Sequence, residues 1–317
     1  MDSLTLLGHG KLLDHLKKQA DSGKLSHALL FSGPEGIGKK KTALLLAEHI
    51  FLRTSEEAAE LCRRRVLPDF LLIEAETTIK VDAIREAVHF AQERPLYSQK
   101  KVLVIDDAHK MNPQAQNKLL KTLEEPPSFL TIILISSNVS GLLETVRSRV
   151  LSYTFEILSE EEVYSGLPTS HAEAERKLAA RFSGGSLRRA VEILEDEELR
   201  ALFHKPEEIF EALYLNDLTA LVRISREYQK DRRQAALLLE HCLMWLRDLS
   251  LFRKHSAPVH LYYPDKTHEL ARQSRWVGSD SAKSTSLIGL AKERLEANAP
   301  AGAVLLAVFF QLAGRLS

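Results

Sequence analysis

ALLFSGPEGIGKKKTALLLAEHIF, residues 28–51, holds the pattern on which the fold turns. A short apolar run enters a glycine-bearing turn at 33–38, and from Lys39 onward the pattern becomes helical, with Ala43, Leu44, Ala47 and Ile50 on one face. Strand, tight loop and helix in that order converge backbone amides and a helix N-terminus on one point, which favours an anion. Gly33, Gly36 and Gly38 let the backbone approach phosphate oxygens, and Lys39 brings a positive charge to them.

GPEGIGK at 33–39 thus has the form of a Walker A loop, but the next position departs from it. A Ser or Thr hydroxyl normally follows the lysine to ligate Mg²⁺, and here Lys40 stands instead. A protonated ammonium has no lone pair for a metal. Thr42, two residues on, faces a different direction along a helix and is no replacement. The complementary carboxylates are in IDDAH, 105–109: Asp106 is placed to organise Mg²⁺ or its water shell, and Asp107 stands where hydrolysing relatives use glutamate to orient water. Asp107 is shorter by about one methylene, enough to miss that water. The pair could equally be a solvated strand end. These residues leave nucleotide binding without turnover and no nucleotide binding both open, and argue against efficient hydrolysis.

Around this unit, VLPDFLLIEA (66–75), KVLVIDDAH (101–109) and FLTIILISSN (129–138) carry apolar runs, with helical periodicity over Ile79–Gln92 (Ile84, Val88 and Ala91 on one side) and Pro113–Leu123. Near-continuous rather than alternating apolar runs fit strands covered on both faces, hence a mostly parallel α/β domain. Beyond residue 156 the pattern is helical. A small unit with an FSGGS break at 182–186 precedes a longer helical segment, where Leu238, Cys242, Trp245, Leu249 and Phe252 form a packing stripe. Residues 256–283 are rich in polar and turn residues.

Composition narrows the function classes. The chain has 317 residues, 44% hydrophobic and 27% charged, as in an ordinary globular protein of two or three domains. Its 43 basic and 43 acidic residues give no field that marks a nucleic-acid binder by itself. Two cysteines, Cys62 and Cys242, supply neither a four-cysteine zinc site nor a disulfide framework, which suits a reducing cytoplasm. The amino terminus lacks the pattern of a signal peptide, and AGAVLLAVFFQLAG at 301–314 reads as a buried terminal helix rather than a membrane span. No membrane association is expected.

Several ordered phrases carry a more specific likeness: LLGHGKLLDHL and KLSHALLFSGPEGIGK near the start, NKLLKTLEEPPSF at 117–129, IILISSN at 132–138, TVRSRV at 145–150 and GGSLRRA at 184–190. Together they resemble the clamp-loader branch of AAA+ proteins, most closely the delta-prime subunits of bacterial DNA polymerase III. The resemblance covers most of residues 6–190.

It implies an α/β plus all-α architecture: a P-loop domain with a parallel sheet at 1–156, a small helical lid at 157–206 and a helical collar at 207–317. It further implies that Asn138 is the polar sensor at the end of a core strand, with Ser136 and Ser137 as weaker flanking candidates. Arg149 would be an arginine finger acting on a neighbouring subunit's ATP, and Arg188 the second sensor or, where the local site has decayed, a packing residue. A surface ion pair is the plainer reading of Arg147. By the same resemblance ATP or ADP is the ligand of a degenerate site, Mg²⁺ is left open, and no zinc is expected, because ELCRRRVLPDF lacks the cysteine cluster that some relatives carry before this segment. Arg63, Arg64 and Arg65 read as a solvated or ion-paired surface more readily than as a phosphate contact.

The implied partners are tau/gamma-type ATPase subunits and a delta subunit in a hetero-oligomer, with the sliding clamp and primer-template DNA engaged through the assembly. The implied work is a subunit of a DNA-directed DNA polymerase holoenzyme with little ATPase activity and no polymerase site of its own. Two alternatives stand beside it: an active loader ATPase resembling tau or gamma, and a nonenzymatic AAA+-like adaptor outside replication.

Overall fold

A computed structural model of the chain describes residues 7–75, 77–254, 261–274 and 281–316. Residues 1–6, read above for a leader, and 256–260 and 275–280 of the turn-rich stretch lie outside them. The chain forms two compact units, Met1–Glu192 and Ile193–Ser317.

The first unit is built on five parallel strands, β1 (Ala28–Ser32), β2 (Phe70–Ile73), β3 (Lys101–Ile105), β4 (Leu130–Ser136) and β5 (Leu151–Thr154). Their order across the sheet is β2-β3-β4-β1-β5. Every residue of β1, β3 and β4 is buried, as the unbroken apolar runs require of strands covered on both faces. Alternation along each strand divides the core. Leu29, Phe31, Val102, Val104, Ile133 and Ile135 face one side, where α1 (Gly10–Asp21), α2 (Lys39–Leu52) and α3 (Glu56–Arg63) pack. Leu30, Leu103, Ile105, Ile132 and Leu134 face the other, against α4 (Val81–Gln92), α5 (Pro113–Glu124) and α6 (Glu144–Arg147).

The helix expected from Ile79 begins at Val81, because Ile79 is drawn into a parallel bridge with Met111. Its stripe is also turned slightly: Ile84, Ala87 and Ala91 are buried and Val88 only half so. A helix of 3.6 residues per turn puts both i+3 and i+4 near one face, and only the sheet surface chooses between them.

Asp69, fully buried, holds the approach to β3. Its carboxylate accepts from the backbone N–H groups of Leu96, Tyr97 and Ser98 at 2.7, 2.8 and 2.7 Å, and its carbonyl accepts from Val102 N at 3.0 Å. Lys101 is also buried and donates to Phe90 O at 2.9 Å, its ammonium lying 4.3 Å from the centre of the Phe90 ring. After β5 the unit continues through α7 (Glu160–Gly166), α8 (Glu173–Phe182) and the start of α9 (Leu187–Glu195).

The second unit takes over within α9 and adds α10 (Glu197–Ala201), α11 (Lys205–Tyr214), α12 (Leu218–Glu227), α13 (Arg232–Lys254), α14 (Thr267–Ser274), α15 (Ser281–Glu296) and α16 (Ala301–Leu316). The stripe of α13 is its centre: Leu238, Cys242, Trp245 and Leu249 are buried and Phe252 half-buried. The Trp245 indole N–H donates to Gln273 Oε1 at 3.0 Å, which satisfies the one polar atom of that ring. In α16, Val304, Leu305, Val308, Phe309 and Leu312 are buried, and no helix among the described residues is long and apolar enough to cross a membrane.

Burial pushes the Cys62 and Cys242 thiols up to about 12. Neither forms appreciable thiolate in the folded chain at pH 8. Alkylation by iodoacetamide at that pH is therefore expected to follow unfolding, and fast labelling of native protein would contradict it. A raised thiol pKa also contributes stability that is intact below the unfolded value near 9 and is lost as pH rises toward 12.

Candidate functional site

The loop between β1 and α2 adopts the backbone its glycines permit. Gly33 and Gly36 lie at φ 138° and 74°, conformations that side chains rarely adopt. A Cβ on Gly33 would run into the Phe155 carbonyl, and one on Gly36 into the Ser186 hydroxyl. Gly36 is thus where the 183–188 turn, ahead of and into α9, meets the loop, and Arg188 N donates to Gly36 O at 3.5 Å. Gly36→Ala is expected to cost about 1–2 kcal/mol from the left-handed backbone alone. It should also loosen this contact, raising protease cleavage near residues 183–186; unchanged stability and cleavage would show that the contact is dispensable.

Gly38 caps α2, and Lys39 opens it. The Lys39 ammonium is folded back over the loop, donating to Gly33 O at 2.6 Å and to Pro34 O, and its side chain is buried. Burial lowers its pKa, and Glu35, Asp107 and Asp106 oppose that shift. Thr42 Oγ1 donates to Gly38 O at 3.0 Å, one helical turn back, so its hydroxyl is directed at its own helix.

Lys40 reaches across the end of the sheet. Its ammonium lies 3.1 Å from Asp106 Oδ2 and also pairs with Glu74, just beyond β2. Glu74 is held on its other oxygen by Arg65 at 3.3 Å. Asp106 Oδ1 accepts from Asp107 N at 3.1 Å. Asp107 sits at φ 49° and directs its carboxylate to Lys110, 2.9 Å away. At the end of β4, Ser137 Oγ donates to Glu35 Oε1 at 3.3 Å, tying this strand to the phosphate loop, and Ser136 Oγ lies 3.3 Å from His109 Nδ1.

The other predicted residues are placed as follows. Asn138 Oδ1 accepts from Ser140 Oγ at 2.6 Å and from Gly141 N at 3.3 Å, so its amide is engaged with the turn that follows β4. Gln116 braces that turn from α5, donating to Met111 O and Gly141 O at 3.0 Å each and accepting from Leu143 N at 2.7 Å. Arg149, between α6 and the edge strand β5, donates to Thr145 O at 2.9 Å and pairs with Glu124 of the LEEPP segment at 2.6 Å, its side chain 35% exposed. Arg188 is 75% exposed and pairs with Glu192 at 3.1 Å. Arg63 pairs with Glu48 at 2.5 Å and with Glu60, an ion-paired helix end.

The structure therefore brings Gly33, Gly36, Gly38, Lys39, Asp106 and Asp107 together, sets the backbone of Arg188 against Gly36 with its side chain paired to Glu192, and puts Asn138 and Arg149 in contacts of their own. Beside Gly36 and Gly38 is a cavity of about 460 Å³ whose walls include Leu7, Ile37, Leu158, Pro168, Leu187 and Val191. Its apolar lining against a phosphate-type loop could hold a flat heterocyclic base next to its phosphates. His9, from the LLGHGKLLDHL segment, is buried with its ring 4.6 Å from that of Phe155; burial lowers its pKa. Among the described residues no group of three or more His, Cys, Asp and Glu side chains could hold a metal ion.

Sequence reading missed Glu74, Glu35, Glu124 and Lys110. Glu35 lies within the GPEGIGK loop and Glu124 within the LEEPP segment, but no spacing assigns any of the four a partner, since each matters through a contact that only the assembled sheet supplies.

A phosphate loop after β1, paired acidic residues after β3, a polar strand end at β4 and the strand order β2-β3-β4-β1-β5 define the P-loop α/β fold of the AAA+ class. A gamma-subunit-related protein of DNA polymerase III from Thermotoga maritima shares this fold over 96% of this chain and 99% of its own, with a TM-score of 0.52 at 20% identity. Residues 8–159 match the family described as DNA polymerase III, delta subunit, and this segment is a domain of that family. DNA polymerase III subunit gamma of Buchnera aphidicola subsp. Schizaphis graminum is 31% identical over 206 residues, 60% of this chain and 56% of its own. The delta' subunit of Pseudomonas aeruginosa is 34% identical over 176 residues, 51% of this chain and 53% of its own. The chain thus spans little more than half the length of these two curated relatives.

Proposed function

We propose that this chain is a clamp-loader subunit of a bacterial replicative DNA polymerase, and that it presents Arg149 to the ATP site of a neighbouring subunit instead of running an efficient nucleotide cycle of its own. Its partners in this reading are tau/gamma-type ATPase subunits and a delta subunit, and the assembly places a sliding clamp on primed DNA in the cytoplasm. The chain then has three parts, with the P-loop domain at 1–156, the lid at 157–206 and a collar at 207–317 that joins the subunits.

The observation that carries the reading is the place of Arg149. It follows α6 in a surface turn before the edge strand of the sheet, a third exposed, in the Ser148-Arg149-Val150 sequence that the resemblance assigns to a finger. A guanidinium there could contact several oxygens of a phosphate brought up by a second subunit. Its ion pair with Glu124 is a surface pair, easily exchanged for a stronger anion. The state of the chain's own loop fits the same division of labour, because Lys40 stands at the metal-ligating position and Asp107 at that of the water-orienting glutamate.

The likeness to gamma subunits favours a second reading, an active loader ATPase. ATP turnover by a reconstituted loader separates the two. Loss of turnover with Arg149→Ala, alongside little turnover by this chain alone, supports the finger. Unchanged turnover in an equally assembled complex would remove it and shift weight to an adaptor role.

A further inference from the structure

We infer that Lys40 is a built-in cation that occupies the place of the divalent metal in this chain's own phosphate loop and keeps Mg²⁺ from binding there. This concerns the chain by itself and stands or falls independently of Arg149.

An ordinary loop of this type leaves a gap between the residue after its lysine and the acidic residue ending another apolar strand of the sheet, and the metal fills it with oxygen ligands at about 2.0–2.1 Å. Here that gap is closed by a side chain. The Lys40 ammonium is 3.1 Å from Asp106 Oδ2 and in contact with Glu74, so it bridges the carboxylates that follow β3 and β2. The sheet order makes this reach natural, because β2 and β3 are neighbours and their C-terminal ends lie side by side.

Charge balance leads to the same conclusion. Glu74, Asp106 and Asp107 are matched by Lys40, Arg65 and Lys110 through the pairs at Glu74–Lys40, Glu74–Arg65, Asp106–Lys40 and Asp107–Lys110. A divalent ion added to this balanced set would meet an ammonium on the very carboxylate it needs, with no hydroxyl at position 40 to bind and that of Thr42 turned back toward its own helix. Position 40 carries lysine, and the Thr42 hydroxyl donates to Gly38 O. The residues present do not fit Mg²⁺. A phosphate group entering the loop would do so as a free anion, met by the loop amides and by ammonium groups already in place.

The test uses Mn²⁺ as a paramagnetic stand-in for Mg²⁺, titrated into the isolated 317-residue chain with ADP present and followed by electron paramagnetic resonance. The variants are Lys40→Ser, Asp106→Asn and the double substitution. The native chain is expected to bind no more Mn²⁺ than the Asp106→Asn variant. Lys40→Ser is expected to gain a site at least tenfold tighter that disappears in the double variant. A native chain that binds Mn²⁺ in an Asp106-dependent way would overturn the inference. So would a folded Lys40→Ser chain, checked by circular dichroism, that gains no site.

Discussion

Replacing Arg149 by alanine is expected to lower ATP turnover at the adjacent site of a reconstituted loader by about three orders of magnitude, the low end of what an arginine finger contributes. The measurement is cleanest when the loader's other ATP sites carry hydrolysis-blocking substitutions, so that only the site facing Arg149 is read. Folding is a weak confounder. In its own chain Arg149 makes surface contacts to Thr145 O, Ser148 Oγ and Glu124, and an exposed ion pair of this kind contributes only about 0–1 kcal/mol. Arg149→Lys sharpens the result, because it keeps the charge but not the fork that grips several phosphate oxygens. Turnover well below native and above that of the alanine variant is the expected outcome. If lysine and alanine are alike and both equal native, the guanidinium does no chemistry in trans.

Asp69→Ala is the substitution with the largest expected effect on stability, about 3–5 kcal/mol for a buried carboxylate that satisfies several backbone donors at once. It would strip the acceptor from Leu96, Tyr97 and Ser98 N–H together, and so free the loop that leads into β3. The loop is itself exposed, with Leu96 at 80% and Tyr97 at 58%, so water can partly replace the lost acceptor, which places the lower end of the range within reach. Asp69→Asn keeps one oxygen acceptor and should lose roughly half as much. Chemical denaturation of the full chain checks both. A loss under about 1 kcal/mol for alanine would mean that the loop holds its shape without Asp69.

Much of the fold is legible in local patterns. The phosphate loop is recognisable because its glycine and lysine spacing is a short-range requirement, met within Gly33–Lys39 whatever surrounds it. The covered strands are recognisable because Lys101–Ile105 and Leu130–Ser136 are apolar on both faces, which few other structures tolerate. Helix α5 announces its own start through Asn112, whose side chain accepts from Ala115 N, with Pro113 at the first turn. Periodicity is less exact about faces, as the exchange of Val88 for Ala87 in α4 illustrates.

The candidate site divides along the same line. The amino-acid sequence by itself determined which residues form the loop, that a lysine stands at position 40, and that a serine-arginine pair follows the polar end of a core strand, because each is a matter of adjacency along the chain. Only the tertiary structure decided what those residues do to one another. Lys40 meets Glu74, 34 residues away, because β2 lies at the edge beside β3; Arg149 meets Glu124 because α5 and α6 share a face of the sheet. A long, flexible charged side chain has many partners within reach, and it is the strand order, fixed by burial of the whole sheet, that selects among them.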